Sequence, residues 1–168
     1  MAKTGDIVQE SLVRRIKICI LVLVYIFSKT DAAMSNALEV GSTMSREITV
    51  DADRTIDFMG EACRVYATPS LVRDIEHLCR DLILKHVPEG QDSVGTVVNI
   101  VHTAPTLIDS PVTITATVAA LDGRKVAFDI GASDPLDEIC KGRHERVVVD
   151  VDKTRDRLAQ KAARMKGS

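Results

Sequence analysis

Three side chains able to move protons or attack a carbonyl stand in unusual company along this sequence: Thr68, Glu76 and His102. Thr68 precedes Pro69 and a periodic apolar run. A hydroxyl there is suited to cap a helix by accepting a bond from an orphan backbone N–H, and Pro69 at the first helical position gives up no needed donor. The same spot lies among free N–H groups at the positive end of the helix dipole, where negative charge is stabilised. Glu76 falls within an apolar face, four residues after Val72 and three before Cys79. A carboxylate there is costly to bury unless it is paired or used. His102 ends a strand on the face of Val98 and Ile100, just before a bend containing Pro105; a histidine in such a place either serves the structure or exchanges protons near neutral pH. Gly95, inside the same strand, marks a bulge or lets something approach the backbone closely. Arg146 is either a surface charge or a clamp for an anion.

The elements that must position these residues are legible in outline. Leu71, Ile75, Leu78 and Leu82 recur at helical spacing with Val72, Cys79 and Ile83 beside them, so a helix is predicted from Thr68 to Val87. Pro88-Glu89-Gly90-Gln91-Asp92 stops it. Before it, residues 41–50 alternate weakly as a first strand would, and Glu61–Ala67 reads as a short strand or extended lead-in. After it everything is β. Ser93–His102 is one strand, and residues 112–120 alternate apolar and Thr positions as another. Asp122-Gly123 is a hairpin signal leading into a return strand from Lys125 to Ile130, and Ile139–Val151 is the last strand. Hairpin-linked neighbours make the sheet antiparallel. One long helix on such a sheet is an α+β layer arrangement, with a sheet face or edge left to cover, for which a dimer is the usual remedy.

Bulk properties narrow the function classes. At 168 residues the chain fits one domain with a full core. Its formal charge of -2 gives no basic field for nucleic acid or anionic lipid, and with no Trp and 3 % aromatics it lacks base-stacking platforms. Cys19, Cys63, Cys79 and Cys140 are far apart in the sequence, without metal-ligand spacing, and read as reduced, mostly buried thiols. Residues 1–33 differ from the rest: Arg14, Arg15 and Lys17 precede an apolar run from Ile18 to Phe27, about half of the ~20 residues a membrane span needs. This N-terminal extension is either a secretory signal or a stretch ahead of a working start at Met34. The second reading is adopted, because Thr30-Asp31-Ala32-Ala33 is a poor cleavage site. The core domain is then 34–152, and 153–168 form a charged, Ala-rich tail expected to be a frayed solvent helix.

In combination the chemical residues are more specific. T-(x7)-E from Thr68 to Glu76, G-T-(x5)-H-T-A-P from Gly95 to Pro105, D-G-R-K from Asp122 to Lys125 and H-E-R-V from His144 to Val147 resemble the fluoroacetyl-CoA thioesterase-like family in order and spacing, over roughly residues 40–155. The resemblance implies the hot-dog fold, an antiparallel β-sheet wrapped around one long central helix, assembled as a homodimer or higher oligomer. It implies hydrolysis of a short-chain acyl-CoA thioester to free acid and CoA, without metal or other cofactor. The implied catalytic set is Thr68, Glu76 and His102, with Gly95 and Arg146 at the substrate or CoA. Glu76 lies two turns from Thr68, roughly 12 Å along the helix, so the two are expected to meet through substrate, through His102 or across the dimer. The sequence departs from the family pattern in a lead-in whose only aromatics are Phe58 and Tyr66, and in Pro69 after the threonine. A broader or different short acyl-CoA is therefore expected as substrate. Because CoA thioesters are made in the cytosol, a cytoplasmic location is expected, with export as the alternative if residues 1–33 act as a signal. No nucleic-acid partner and no stable membrane insertion are expected.

Three rival readings stand beside this one. A non-catalytic acyl-CoA binding module on the same fold would bind thioester without turnover. A hydratase would place an Asp, then a His, on the helix-entry loop, which Thr68-Pro69-Ser70-Leu71 does not supply. A purely structural oligomer leaves Glu76 unexplained.

Overall fold

A computed structural model describes residues 37–167, of which Leu38 onward forms one compact unit. The expectations for residues 1–33 and for Cys19 lie outside the described residues. Among the described residues, seven strands and two α-helices follow in the order β1 (Thr43–Thr49), β2 (Thr55–Ile56), β3 (Val65–Tyr66), α1 (Thr68–Leu84), β4 (Gln91–His102), β5 (Pro111–Asp122), β6 (Lys125–Ser133), β7 (Glu138–Asp150) and α2 (Val151–Lys166). Short 3-10 turns at Ala52–Arg54 and Glu61–Cys63 shape the lead-in to α1.

Five strands make one antiparallel sheet in the order β1-β5-β6-β7-β4, while β2 and β3 pair as a separate two-stranded ribbon. The β5–β6 hairpin turns at Asp122-Gly123, where Gly123 adopts φ 55° and Asp122 faces Lys125 across the ladder. Along β5, Val112, Ile114, Ala116 and Val118 are buried. Along α1 the buried residues are Leu71, Asp74, Ile75, Leu78, Cys79, Leu82 and Ile83. The sheet lays its inner face on this arc, with α1 packed on β1, β4, β5 and β7. Burying the Leu, Ile and Val side chains among them, each worth about 1.5–3 kcal/mol, joins helix and sheet into one core.

Several boundaries differ from the reading of the sequence. The helix ends at Leu84, three residues before Val87, in a turn where His86 N–H bonds to Ile83 C=O at 2.9 Å. The tail is a regular helix from Val151, capped by Asp150 accepting from Lys153 N–H, and it buries none of its residues. Of the cysteines, Cys79 and Cys140 are buried and Cys63 is exposed.

Among the described residues β4 is an edge strand, paired with β7 only. Its side chains at Val94, Val97, Val98 and Val101 remain between two-fifths and three-fifths exposed. The register shifts between Gly95 and Val97, so a bulge does occur there. The bulge moves the helix-facing positions from Ser93 and Gly95 to Val98, Ile100 and His102.

Candidate active site

The site begins where the lead-in turns into α1. Ala67, extended at φ -78° and ψ 135°, is the residue before the helix, and no side chain caps it. Thr68 is therefore the first helical residue rather than its N-cap. The reason is a competing partner: Thr68 Oγ1 lies 3.0 Å from His102 Nδ1, at the end of β4. Pro69 takes the second helical position, with no N–H to strand, and the uncapped positive end of the helix opens beside the hydroxyl. Two backbone bonds fix the approach, Ala67 N–H to Arg54 C=O and Tyr66 N–H to Thr106 C=O, both at 2.9 Å.

Thr68 and His102 share a cavity of about 580 Å³, whose walls include Ile56, Phe58, Tyr66 and Pro105. The His102 ring meets Tyr66 edge-to-face, 6.2 Å between centroids at 77°. Burial pushes the His102 pKa below its usual value, with the backbone of Ala104 acting in the opposite sense, so the imidazole is biased to its neutral, basic form. For Nδ1 to take a proton from Thr68 it must present its lone pair, which puts the ring proton on Nε2. That nitrogen is buried and has no hydrogen-bond partner among the described residues.

Glu76 belongs to a second cluster, nearer the start of β4. Its side chain is 40 % exposed, at the margin of the apolar face rather than within it, with Oε2 4.0 Å from Arg146 Nη1. The close approach expected at Gly95 is real, and its partner is Glu76: a Cβ on Gly95 would overlap the Glu76 carboxylate and press on His144. Arg146 is 4 % exposed, which removes its reading as a surface charge. Its Nε donates to Ser93 Oγ at 2.9 Å, its Nη2 to Ser93 C=O at 2.7 Å, and its Nη1 lies 3.3 Å from His144 Nε2. His144 Nδ1 is 2.8 Å from Val97 C=O, which can only accept, so the proton is on Nδ1 and Nε2 accepts from Arg146. Burial lowers the His144 pKa and works against the charge on Arg146, while Glu76 acts in the opposite sense on both. Beneath them burial pushes the Cys79 thiol up to about 12 and keeps it unreactive.

The structure thus brings Thr68 to His102, and Glu76 to Gly95 and Arg146, but does not bring the two groups together within one chain. Gly95 and His102 are seven residues apart on β4, roughly 20 Å at strand rise. Among the described residues no group of three His, Cys, Asp or Glu side chains is placed to hold a metal ion.

Comparison with known proteins bears on this arrangement. The family model described as fluoroacetyl-CoA-specific thioesterase matches residues 50–152. The chain belongs to that family of thioester hydrolases. It is 29 % identical over 135 residues to the fluoroacetyl-CoA thioesterase of Streptantibioticus cattleyicolor, covering 76 % of this chain and 97 % of that one. A solved structure of a fluoroacetyl-CoA thioesterase superposes with a TM-score of 0.70 at 29 % identity, covering 74 % of this chain and 98 % of the other. A thioesterase superfamily member from Thermus thermophilus superposes with a TM-score of 0.72 at 27 % identity, covering 77 % and 97 %. The antiparallel sheet around α1 is accordingly the hot-dog fold.

For a member of this thioesterase family, three residues beside the site carry more than their sequence signals suggested. His144 and Ser93 complete the hydrogen bonding of Arg146. His144 sits in the H-E-R-V stretch and could have been singled out as a strand residue alternating inward with Arg146; Ser93 carries no such signal. Asp74, 7 % exposed, is the buried acid of α1, and Glu76 is not.

Proposed function

We propose that the protein hydrolyses short-chain acyl-CoA thioesters to free acid and CoA, in a homodimer whose sites each combine Thr68 and His102 of one protomer with Glu76 of the other. The observation that carries this reading is the Thr68–His102 pair on the cavity wall, with a buried Nε2 lacking an acceptor. A carboxylate from a second copy supplies what that nitrogen lacks. The edge strand provides the means: antiparallel pairing of two β4 strands about a twofold near Val98 would set Gly95, and Glu76 behind it, opposite His102 of the partner subunit. It would also cover the half-exposed valines and complete the unpaired ladder.

In this arrangement neutral His102 accepts the proton as Thr68 Oγ1, or a water held by it, attacks the thioester carbonyl. The oxyanion develops against the N-terminal N–H groups of α1. Glu76 stabilises the imidazolium, which returns its proton to the departing CoA sulfur. On the Thr68 route a water deprotonated by His102 then cleaves the acyl ester to free acid and restores Thr68. Arg146, buried with three of its donors on Ser93 and His144 and its charge 4.0 Å from Glu76, orients Glu76 rather than gripping CoA. The acyl-CoA class is supported by relatives: variants of the fluoroacetyl-CoA thioesterase were solved with fluoroacetate and CoA and with acetyl-CoA. The availability of such substrates supports a cytoplasmic location and a working domain of residues 34–152.

The test is a mixing experiment. Glu76→Gln and His102→Ala are each expected to lose about 10²–10⁴-fold in kcat while remaining folded dimers. Co-refolded, they form hybrids in which one of two sites regains both residues, restoring about a quarter of wild-type activity if the protomers pair at random. Failure to restore activity overturns the shared site. Near-wild-type turnover in either single variant overturns the residue assignment. Binding of acyl-CoA by the wild type without turnover across acetyl-, fluoroacetyl-, butyryl- and aromatic acyl-CoA would leave the binding module instead.

A further inference from the structure

Asp74 is the one acidic side chain that is buried among the described residues, and nothing in the proposed reaction uses it. It stands on α1 six residues after Thr68. Tyr66 Oη–H donates to its Oδ2 at 2.7 Å, Arg54 Nε to the same oxygen at 2.9 Å, and Arg54 Nη2 reaches Oδ1 at 3.4 Å. Arg54 is held from its other side by Asp51. A buried charge costs several kcal/mol unless its geometry is well satisfied, and an apolar side chain would fill the space at lower cost. What a carboxylate adds is direction, because it fixes its donors at set angles.

Those two donors are the neighbours of the Thr68–His102 pair. Arg54, through its own carbonyl, accepts the N–H of Ala67, the residue immediately before Thr68. Tyr66, tethered to Asp74 by its hydroxyl, sets its ring edge-to-face with His102. One carboxylate therefore governs both sides of a single hydrogen bond: the entry of the chain into α1, and the wall against which the imidazole rests. The Thr68 bond and the Ala104 backbone both act on the His102 ring, but its buried Nε2 has no hydrogen-bond partner among the described residues. Packing against Tyr66 must supply the remaining restraint.

We propose that Asp74 is a positioning residue of the thioesterase site, bracing Tyr66 and Arg54 so that His102 keeps Nδ1 on Thr68 Oγ1. This rests on the reading of Thr68 and His102 as the working pair. The brace acts on alignment and not on substrate affinity, so its loss is read in kcat. A displacement near 1 Å at a reacting group costs up to about 10²-fold.

The experiment compares Asp74→Asn and Tyr66→Phe with wild type by steady-state kinetics, thermal melting and nitrogen NMR of the imidazoles, with His102 assigned by the loss of its signals in His102→Ala. The wild-type spectrum is expected to show His102 as a single tautomer protonated on Nε2. Asp74→Asn, still folded at the assay temperature, is expected to lose about tenfold or more in kcat, with KM within about threefold of wild type and His102 averaged between tautomers. Tyr66→Phe keeps the ring but releases its tether, and is expected to fall between the two. Should Asp74→Asn not fold, Tyr66→Phe alone carries the test. A folded variant with unchanged kcat and an unchanged His102 spectrum overturns the proposal, as does a loss confined to KM. If the wild type turned over no acyl-CoA, the proposed function would fall, while the spectra would still decide whether Asp74 holds His102 in place.

Discussion

Asp74 and Glu76 stand two residues apart on one helix and therefore about 200° apart around its axis. They border the buried arc from opposite flanks. On the flank facing the lead-in, Asp74 is held by Tyr66 and Arg54 and is almost wholly enclosed. On the flank facing β4, Glu76 has a single ion pair at 4.0 Å and stays 40 % exposed. The difference separates two uses of a carboxylate. The first is consumed by the contacts that fix it. The second is aimed by Arg146 and Gly95 but keeps lone pairs for another molecule. Side-chain burial alone would rank them the other way.

The sharpest way to break this contrast is at Arg146. Arg146→Met removes the only ion-pair partner that Glu76 has among the described residues and strands Ser93 C=O and His144 Nε2. At about 1–3 kcal/mol for each stranded group, urea unfolding is expected to show a loss on the order of 3 kcal/mol. Stopped-flow or coupled assays should show kcat lower by about 10²-fold, as for misplacement of a working group. If kcat were preserved, Glu76 would not need aiming, and its flank would be no more functional than the other. Gly95→Ala is a gentler probe of the same flank. Its Cβ must displace the Glu76 carboxylate, so a loss of about tenfold in kcat is expected, with a stability cost of about 1–3 kcal/mol for overpacking.

Acidity tests both ends of β4 together. Burial lowers the pKa of His102 and of His144 in the folded protein, so below about 6.5 the unfolded chain binds more protons than the native one. Stability is fully present above that value and is lost as pH falls through the window between the unfolded and folded pKa values. The acid limb of kcat/KM is expected below 6.5, set by His102, while His102→Ala should retain a share of the stability loss because His144 remains. A smaller change provides the control. The Arg143–Asp129 pair lies at the surface, so Asp129→Ala is expected to alter stability by less than about 1 kcal/mol and leave kcat alone. A larger kinetic effect would mean that the sheet's outer face communicates with the site.

Much of the architecture could be read from residues in order. Periodicity of two in 112–120 and the Asp-Gly turn after it marked β5 and its hairpin, because both signals are local. The start of α1 was legible from Thr68-Pro69. The cap was misplaced because only the fold reveals that His102 competes for the hydroxyl. Glu76 was singled out for an incomplete reason. Seven apolar residues in two adjacent rows suggested a broad face that included it, whereas the sheet covers a narrower arc and leaves it on the margin. Asp74 escaped notice because the partners that make its burial tolerable, Arg54 and Tyr66, come from a separate segment whose path the sequence does not give. The same holds for Ser93, which becomes meaningful only when β4 and β7 lie side by side.

The long free margin at β4 has a consequence for how the molecule comes into being. Along this dozen-residue edge the outward main-chain groups have no partner among the described residues and are flanked by greasy branched side chains, so a foreign strand can adhere to them. Under the proposed β4–β4 pairing, each copy runs a race between meeting its own kind and sticking to strangers. Abundance favours the first outcome and dilution the second.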